Sequence, residues 1–343
     1  AQPVGSWCGS TTARCSAPRR GVTGLWLNDV AAPIFEAELV MSSIAPQNPR
    51  VESLSSEGRA ALTDAICRSI PALATSSTVA IVDSRSEVIR QRGSGTLIAV
   101  ADQTFVLTAA HVVRQAKAAG ATLGVSSYGS KRFVAVAGKW IMSSGGSQDS
   151  EADPNDVAVY ELNNDQRERL TGCEFVRIAD VSFLRDVSNG YFVVIGFPGI
   201  WSTVLDGQEM TMKSRLLQYG TYAFSGNVAA LEGYDERRHF LLQATPSLLF
   251  DQNGEQTEFR TRSGFAAKVP NDLGGISGCS VWLIGDVSTS ADTWDAHRSR
   301  LIGIETGVYD SRGAIKATRW NAVLSLLYKA YPHLRASLDL HMR

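Results

Sequence analysis

Three short patterns in this sequence carry residue types able to do acid–base and nucleophilic chemistry. Thr108-Ala109-Ala110-His111 closes an apolar run, and Asp156 stands directly before Val157-Ala158-Val159. Ser277 sits in Gly274-Gly275-Ile276-Ser277-Gly278, just ahead of Val281-Trp282-Leu283-Ile284. A serine hydroxyl is a poor nucleophile until a neighbouring base takes its proton. A histidine can do so near neutral pH, and a carboxylate on its other ring nitrogen fixes the tautomer. Glycines around a serine let the backbone turn so that amide N–H groups, here those of Gly275 and Ser277, converge on a developing oxyanion. Taken singly, the three have plainer roles: a core histidine, a turn aspartate beside Asp153-Pro154-Asn155, and a common glycine turn. Together in one β-rich segment they predict a hydrolase.

The elements that must position these residues are legible from periodicity. Ala61, Leu62, Ala65, Ile66 and Ile70 recur at helical steps, so a helix is expected over 55–70, with Ser56 as cap and Pro71 as stop. Short β-rich runs follow at 78–82, 87–91, 95–100 and 104–108, with Gly93-Ser94-Gly95 read as one of the intervening turns. Further strands are expected at 132–137, 157–161, 191–196, 214–224, 240–243, 279–284 and 301–306. Many short strands without a βαβ rhythm predict an all-β barrel or sandwich. Helices are expected at 164–170 and at 319–331, where Val323, Leu324, Leu327 and Ala330 share a face before Pro332. The stretch 143–155 reads as a polar loop. Residues 1–40 show no periodicity, and Met41 is a plausible natural start, so the segment ahead of it is expected to be dispensable.

Composition narrows the function classes. The 343 residues carry 33 Lys+Arg against 34 Asp+Glu, a net charge of −1. Such a balance gives no general attraction for phosphate backbones or anionic lipid, so neither nucleic acid nor membrane is an expected partner. Residues 191–197 form one of the longest apolar runs, far short of the about 20 needed to span a bilayer. Cys8, Cys15, Cys67, Cys173 and Cys279 are scattered, odd in number and without a CxxC pair. They predict neither a disulfide framework nor a zinc site, and favour a cytoplasmic setting without cofactor or metal.

Thr-Ala-Ala-His, Asp-Val-Ala-Val and Gly-Ile-Ser-Gly resemble the histidine, aspartate and serine motifs of the trypsin/chymotrypsin-like serine peptidases, in that family's chain order. Residues 191–199 (Tyr-Phe-Val-Val-Ile-Gly-Phe-Pro-Gly) resemble a strand and turn of the second barrel in bacterial members. Leu301-Ile-Gly-Ile-Glu-Thr-Gly307 resembles the strand lining the primary specificity pocket. The likeness spans residues 75–310. It implies a chymotrypsin-like double six-stranded antiparallel β-barrel, here with an N-terminal and a C-terminal helix added. The expected organisation is an N-terminal segment (1–54), a helix (55–75), a first barrel (76–180), a second barrel (181–310) and a helical end (311–343). His111 would be the general base, Asp156 the orienting acid, Ser277 the nucleophile, and the amides of Gly275 and Ser277 the oxyanion donors.

The same resemblance puts the pocket floor at Asn271, with Asp272 beside it, and includes Thr306 and Gly307 in the wall. A neutral floor argues against selection for Arg or Lys, a one-residue shift to Asp272 argues for it, and Glu305 is a further acid on the lining strand. Residues 243–273 are expected to form a long loop over the cleft. The sequence also departs from the family. Ile276 replaces the aspartate that pairs with a new N-terminus in many animal digestive members, so cleavage at Arg20-Gly21 is not expected to activate the protein. Cys279 is expected to be a packed residue rather than a nucleophile. An α/β-hydrolase is disfavoured because Cys279 breaks Gly-x-Ser-x-Gly and the order of the residues is wrong. The expected function is a serine endopeptidase acting on protein or peptide. The alternatives are a catalytically silent binding protein of the same fold and an effector regulated by a partner docked on the terminal helices.

Overall fold

A computed structural model describes residues 56–340 except 86–87, 128–129, 131–132, 144–152, 184–185, 207–210, 229–230, 245–248 and 251–272. The expectations for residues 1–54, for Asn271 and Asp272, for the middle of the 143–155 loop and for most of 243–273 fall outside the described residues.

The first sheet contains β1 (Thr78–Arg85), β2 (Val88–Val100), β3 (Gln103–Ala109), β4 (Thr122–Ser127), β5 (Val134–Ala135), β6 (Ile141–Met142), β7 (Val157–Glu161) and β8 (Val176–Arg177). Its order is β5-β4-β1-β2-β3-β7-β6, with β8 in parallel beside β2 and every other pair antiparallel. β9 (Gly190–Gly196) begins the second sheet, and β10 (Ser202–Asp206) and β11 (Thr211–Ser214) form a separate ribbon. β12 (Leu217–Tyr222), β13 (His239–Gln243), β14 (Leu249–Phe250), β15 (Ser280–Asp286), β16 (Arg300–Tyr309) and β17 (Ala314–Arg319) complete it in the order β13-β17-β16-β15-β9-β12-β14. Both sheets curl into half-barrels. Their strand numbers of eight and seven, rather than six each, include the two-residue pairings of β5, β6, β8 and β14.

Helices α1 (Ser56–Ser69), α2 (Ala72–Ser76), α3 (Ala110–Ala118), α4 (Asn164–Arg169), α5 (Trp320–Ala330) and α6 (Arg335–Asp339) are attached to these sheets. Asn163 and Gln166 close a capping box on α4. Pro71 ends α1 and stands as N-cap of α2. Three apolar clusters hold the body together. One lies within the first sheet and α3, and another within the second sheet. The third draws residues from both sheets and from α1, α5 and α6. On β1, Val79 and Ile81 face the first cluster while Ala80 and Val82 face the shared one. Such strands are buried on both faces, which is why their sequences read as unbroken apolar runs. Ile66 of α1 and Val323 and Leu327 of α5 are fully buried there, each contributing about 1.5–3 kcal/mol. The terminal helices are therefore part of the core.

Two local expectations are corrected. Gly93-Ser94-Gly95 is no turn: β2 runs straight through it. Gly93 marks a close approach, since a Cβ there would lie 2.8 Å from the Ser277 carbonyl oxygen and 2.8 Å from Val112 Cγ2. And His111 does not close the apolar strand: β3 ends at Ala109, and His111 lies in α3, which begins at Ala110. Strands β4, β6, β8, β10, β14 and β17, and β11 ahead of Ser214, were not marked by periodicity.

Candidate active site

His111 lies in the first turn of α3, whose N-cap Ala109 offers no side-chain oxygen. Asp156 does that work from the neighbouring loop. Its Oδ1 accepts the His111 backbone N–H at 2.8 Å, and its carbonyl accepts the Ala110 N–H at 2.9 Å. Its Oδ2 lies 2.6 Å from His111 Nδ1. A carboxylate at a helix N-terminus is favoured by the unpaired amides and the dipole. It also keeps the ring proton on Nδ1, leaving Nε2 as the basic atom.

Asp156 adopts a φ of +48°, which a residue with a Cβ takes up only when its surroundings compel it. They do so from both sheets. Arg114, one turn along α3, donates to Asp156 Oδ1 at 2.9 Å and to Asp153 Oδ2 at 3.1 Å. Asp153 Oδ1 accepts from Ser143 Oγ at 2.6 Å and from the Asp156 N–H at 3.1 Å. From the second sheet, His239 Nε2 donates to the Pro154 carbonyl at 2.6 Å while its Nδ1 accepts the Asp235 N–H at 3.0 Å. Thr318 Oγ1 donates to the Asn155 carbonyl at 2.8 Å, and Thr306 Oγ1 follows at 3.0 Å from Thr318 Oγ1. Burial acts to lower the His111 pKa, but the hydrogen bond and charge of Asp156, with Glu305 behind it, outweigh that and the opposing Arg114. The result lies above 6.5. His239 has no such partner: burial, with Lys316, pushes it down to about 4, so it is a neutral donor.

Ser277 is presented by a turn pinned between the sheets. Gly278 N–H donates to the Glu305 carbonyl at 2.8 Å, and Glu305 N–H donates back to Cys279 at 3.0 Å. From the first sheet, Ser94 N–H reaches the Ser277 carbonyl at 2.9 Å, and Ser94 Oγ donates to the Gly275 carbonyl at 3.0 Å. Gly278 has a φ of +89°, and a Cβ on it would meet Thr108 Oγ1 at 2.2 Å and Ala109 N at 2.7 Å. The Ser277 loop thus packs directly on the end of β3 that leads to His111. Among the described residues no hydrogen bond joins His111 Nε2 to Ser277 Oγ.

The carbonyls of the turn are all engaged, and that fixes its amides. The Gly274 carbonyl accepts from Gly199 N–H at 2.7 Å, and the Ile276 carbonyl accepts from Cys279 N–H at 2.8 Å. In a trans peptide the N–H points opposite to the C=O. The amides of Gly275 and Ser277 therefore face away from these bonds, and neither has an acceptor among the described residues. This leaves two backbone donors beside Ser277 without an acceptor among the described residues.

Of the residues singled out from sequence, the structure brings together His111, Asp156, Gly275 and the Ser277 loop. Thr306 is buried and hydrogen-bonded behind the Asp156 loop, and Gly307 follows it on β16. Ile276 is a core residue of the second sheet. Cys279 is fully buried, and desolvation and the nearby Glu305 hold its thiol well above 9.0, so it is no nucleophile. Arg114, Asp153, Ser94 and His239 were missed. The spacing His111-x-x-Arg114 is a signal only once α3 is known to be a helix. Among the described residues, no His, Cys, Asp and Glu cluster is arranged to hold a metal ion.

No family model matches the sequence, and no curated protein matches it. Solved structures do. The chain is similar to the protease Anisep from Arthrobacter nicotinovorans, with a TM-score of 0.42 and 12% identity over 76% of this chain and 97% of that one. It is similar to a Glu endopeptidase, with a TM-score of 0.40 and 11% identity over 76% and 92%. A third is the thermostable serine protease AL20 from an extremophilic microorganism, with a TM-score of 0.40 and 10% identity over 75% and 97%. The two curled antiparallel sheets described above are those of a chymotrypsin-like fold.

Proposed function

We propose that this protein is a serine endopeptidase. The observation that carries the proposal is the 2.6 Å bond from Asp156 to His111 Nδ1, which leaves Nε2 basic beside the loop of Ser277. In the reaction, Ser277 Oγ attacks the scissile carbonyl as Nε2 takes its proton. The oxyanion is received by the free amides of Gly275 and Ser277, an effect worth about 10²–10³ in rate per donor. His111 then protonates the leaving amine, and water repeats the sequence to release the acyl group. Asp156 stays ionised throughout and stabilises the imidazolium. The free thiols of Cys67, Cys173 and Cys279 support a reducing, cytoplasmic setting. Among the described residues no helix is long and apolar enough to cross a membrane.

A fluorophosphonate probe tests the proposal. Labelling is expected for the wild type and not for Ser277→Ala, with strong slowing in His111→Ala. Folded wild-type protein that takes no label would instead make the chain a silent binding protein of this fold.

A further inference from the structure

The carbonyls of residues 274–277 are all held, three of them by backbone N–H groups. Gly199 N–H donates to Gly274 at 2.7 Å, Cys279 N–H to Ile276 at 2.8 Å and Ser94 N–H to Ser277 at 2.9 Å. The Gly275 carbonyl depends on side chains instead. Ser94 Oγ donates to it at 3.0 Å, while Gln91 Nε2 comes no closer than 3.5 Å, longer than the usual range. Ser94 is fully buried and belongs to β2, so this grip on the Ser277 loop comes from the other sheet.

A second bond fixes the direction of the first. Ser94 Oγ accepts the Phe197 N–H at 2.8 Å. A hydroxyl carries one proton, and with a donor on one side it presents that proton to the acceptor on the other. Phe197 follows β9 and leads in two residues to Gly199, whose N–H holds the Gly274 carbonyl. One oxygen therefore braces the Gly275 carbonyl directly and the Gly274 carbonyl through the Phe197-Pro198-Gly199 turn. The turn it braces is soft by composition. Gly274 and Gly275 are adjacent, Gly275 has a φ of +98°, and glycine moves between backbone wells at little cost. The Gly275–Ile276 peptide links the peptides that carry the Gly275 and Ser277 N–H groups. If its carbonyl is released, that peptide can rotate and the two amides lose their common target.

This inference rests on the peptidase reading above. We infer that Ser94 is a positioning residue of the reaction: its hydroxyl holds the Gly275–Ile276 peptide so that the Gly275 and Ser277 amides converge on the oxyanion. It acts through the turn and not on the substrate. Ser94→Ala removes this hold alone, because the Ser94 backbone N–H keeps its bond to the Ser277 carbonyl. Ser94→Cys keeps the volume and leaves a weaker S–H donor in place.

The test uses the full chain and a peptide that the wild type cleaves, with competent sites counted by fluorophosphonate titration. Per labelled site, Ser94→Ala should lower kcat at least tenfold while KM moves less than twofold. The matching peptide trifluoromethyl ketone reports on the amides alone: Ser277 Oγ adds to its carbonyl, His111 takes the proton, and the ketone oxygen becomes an oxyanion in the turn. Its affinity should fall by the same factor as kcat, with Ser94→Cys between wild type and Ser94→Ala. Binding of the uncleaved peptide to Ser277→Ala should not change when Ser94→Ala is added. A smaller loss of ketone affinity, or damage confined to the labelled fraction and the melting temperature, overturns the inference and leaves the peptidase standing. Should Ser94→Ala fail to fold, ketone affinity of Ser94→Cys equal to that of the wild type overturns it as well. Folded wild type that takes no label removes the peptidase, and this inference with it.

Discussion

The two halves of the site are finished to different degrees. On the histidine–aspartate side each oxygen of Asp153 and Asp156 has a donor, and the loop between them is tied to both sheets. On the serine side the backbone is pinned as tightly, but the chemical groups are open: two amides and a buried carboxylate lack partners among the described residues. In the proposed mechanism the difference follows from what each half must do. A base needs a fixed tautomer before substrate arrives, so its bonds are made in the resting fold. Oxyanion donors act only if they remain available, because a donor already satisfied has nothing to give the transition state.

The sharpest way to break this contrast is to spoil the finished half. Asp156→Asn keeps the shape but replaces the acceptor of the Nδ1 proton, so the ring can adopt the wrong tautomer. Turnover should fall by about 10⁴ with the fold retained, as seen by kcat against circular dichroism. A loss below tenfold would mean that the Asp156 bond merely holds α3. On the other half the equivalent damage is steric. Gly278→Ala puts a Cβ 2.4 Å from the Ser94 carbonyl oxygen at a φ of +89°. It should destabilise the protein by about 3–4 kcal/mol, combining positive-φ strain with overpacking. Urea denaturation reads this directly.

How much of this was legible beforehand depended on the kind of signal. Residues of β1, β3, β7 and β9 declared themselves as β-rich runs, and α5 by its apolar face. The three chemical motifs were visible because their residue types are scarce and their flanks distinctive. Strand β17 hid behind Lys316 and Arg319 in an otherwise short apolar stretch, and α3 hid because it begins inside the histidine motif. Ser94 and Gly93 looked like turn residues since small residues serve equally for turns and for close approach between sheets. Arg114, His239 and Thr318 carry no local signature: their partners lie 42, 85 and 163 residues away in the chain. The expected barrels came from the resemblance, and the added terminal helices from periodicity.

Stability against pH separates the halves by sign. His239 has its folded pKa lowered to about 4 from 6.5, so the stability it contributes is present above pH 6.5 and lost as pH falls through 4. Glu305 is raised to about 7 from 4.5, so its contribution is complete below pH 4.5 and lost as pH rises through 7. Each is on the order of 3 kcal/mol. The two windows overlap with opposite slopes and largely cancel, so these groups should leave the wild-type thermal stability nearly flat from pH 4 to 7. His239→Gln should unmask a loss of stability as pH rises through 7, and Glu305→Gln a loss as pH falls through 4. If Glu305→Gln left the profile flat, Glu305 would already be ionised and paired at neutral pH.

The smallest expected effect is on the rate of serine labelling, which does not depend on a substrate side chain. His111 must be neutral to accept the Ser277 proton, so labelling should rise through its pKa, above pH 6.5. Arg114 holds that pKa down and Glu305 holds it up. Replacing Arg114 by methionine should move the rise to higher pH, and Glu305→Gln should move it to lower pH. Each displacement should be modest, because Asp156 dominates among the charges and hydrogen bonds that hold the ring above its ordinary value. Equal displacement in the same direction would mean that both variants act by loosening the fold. Opposite displacement means that the Glu305 carboxylate of the serine half reaches His111 of the other half through its charge.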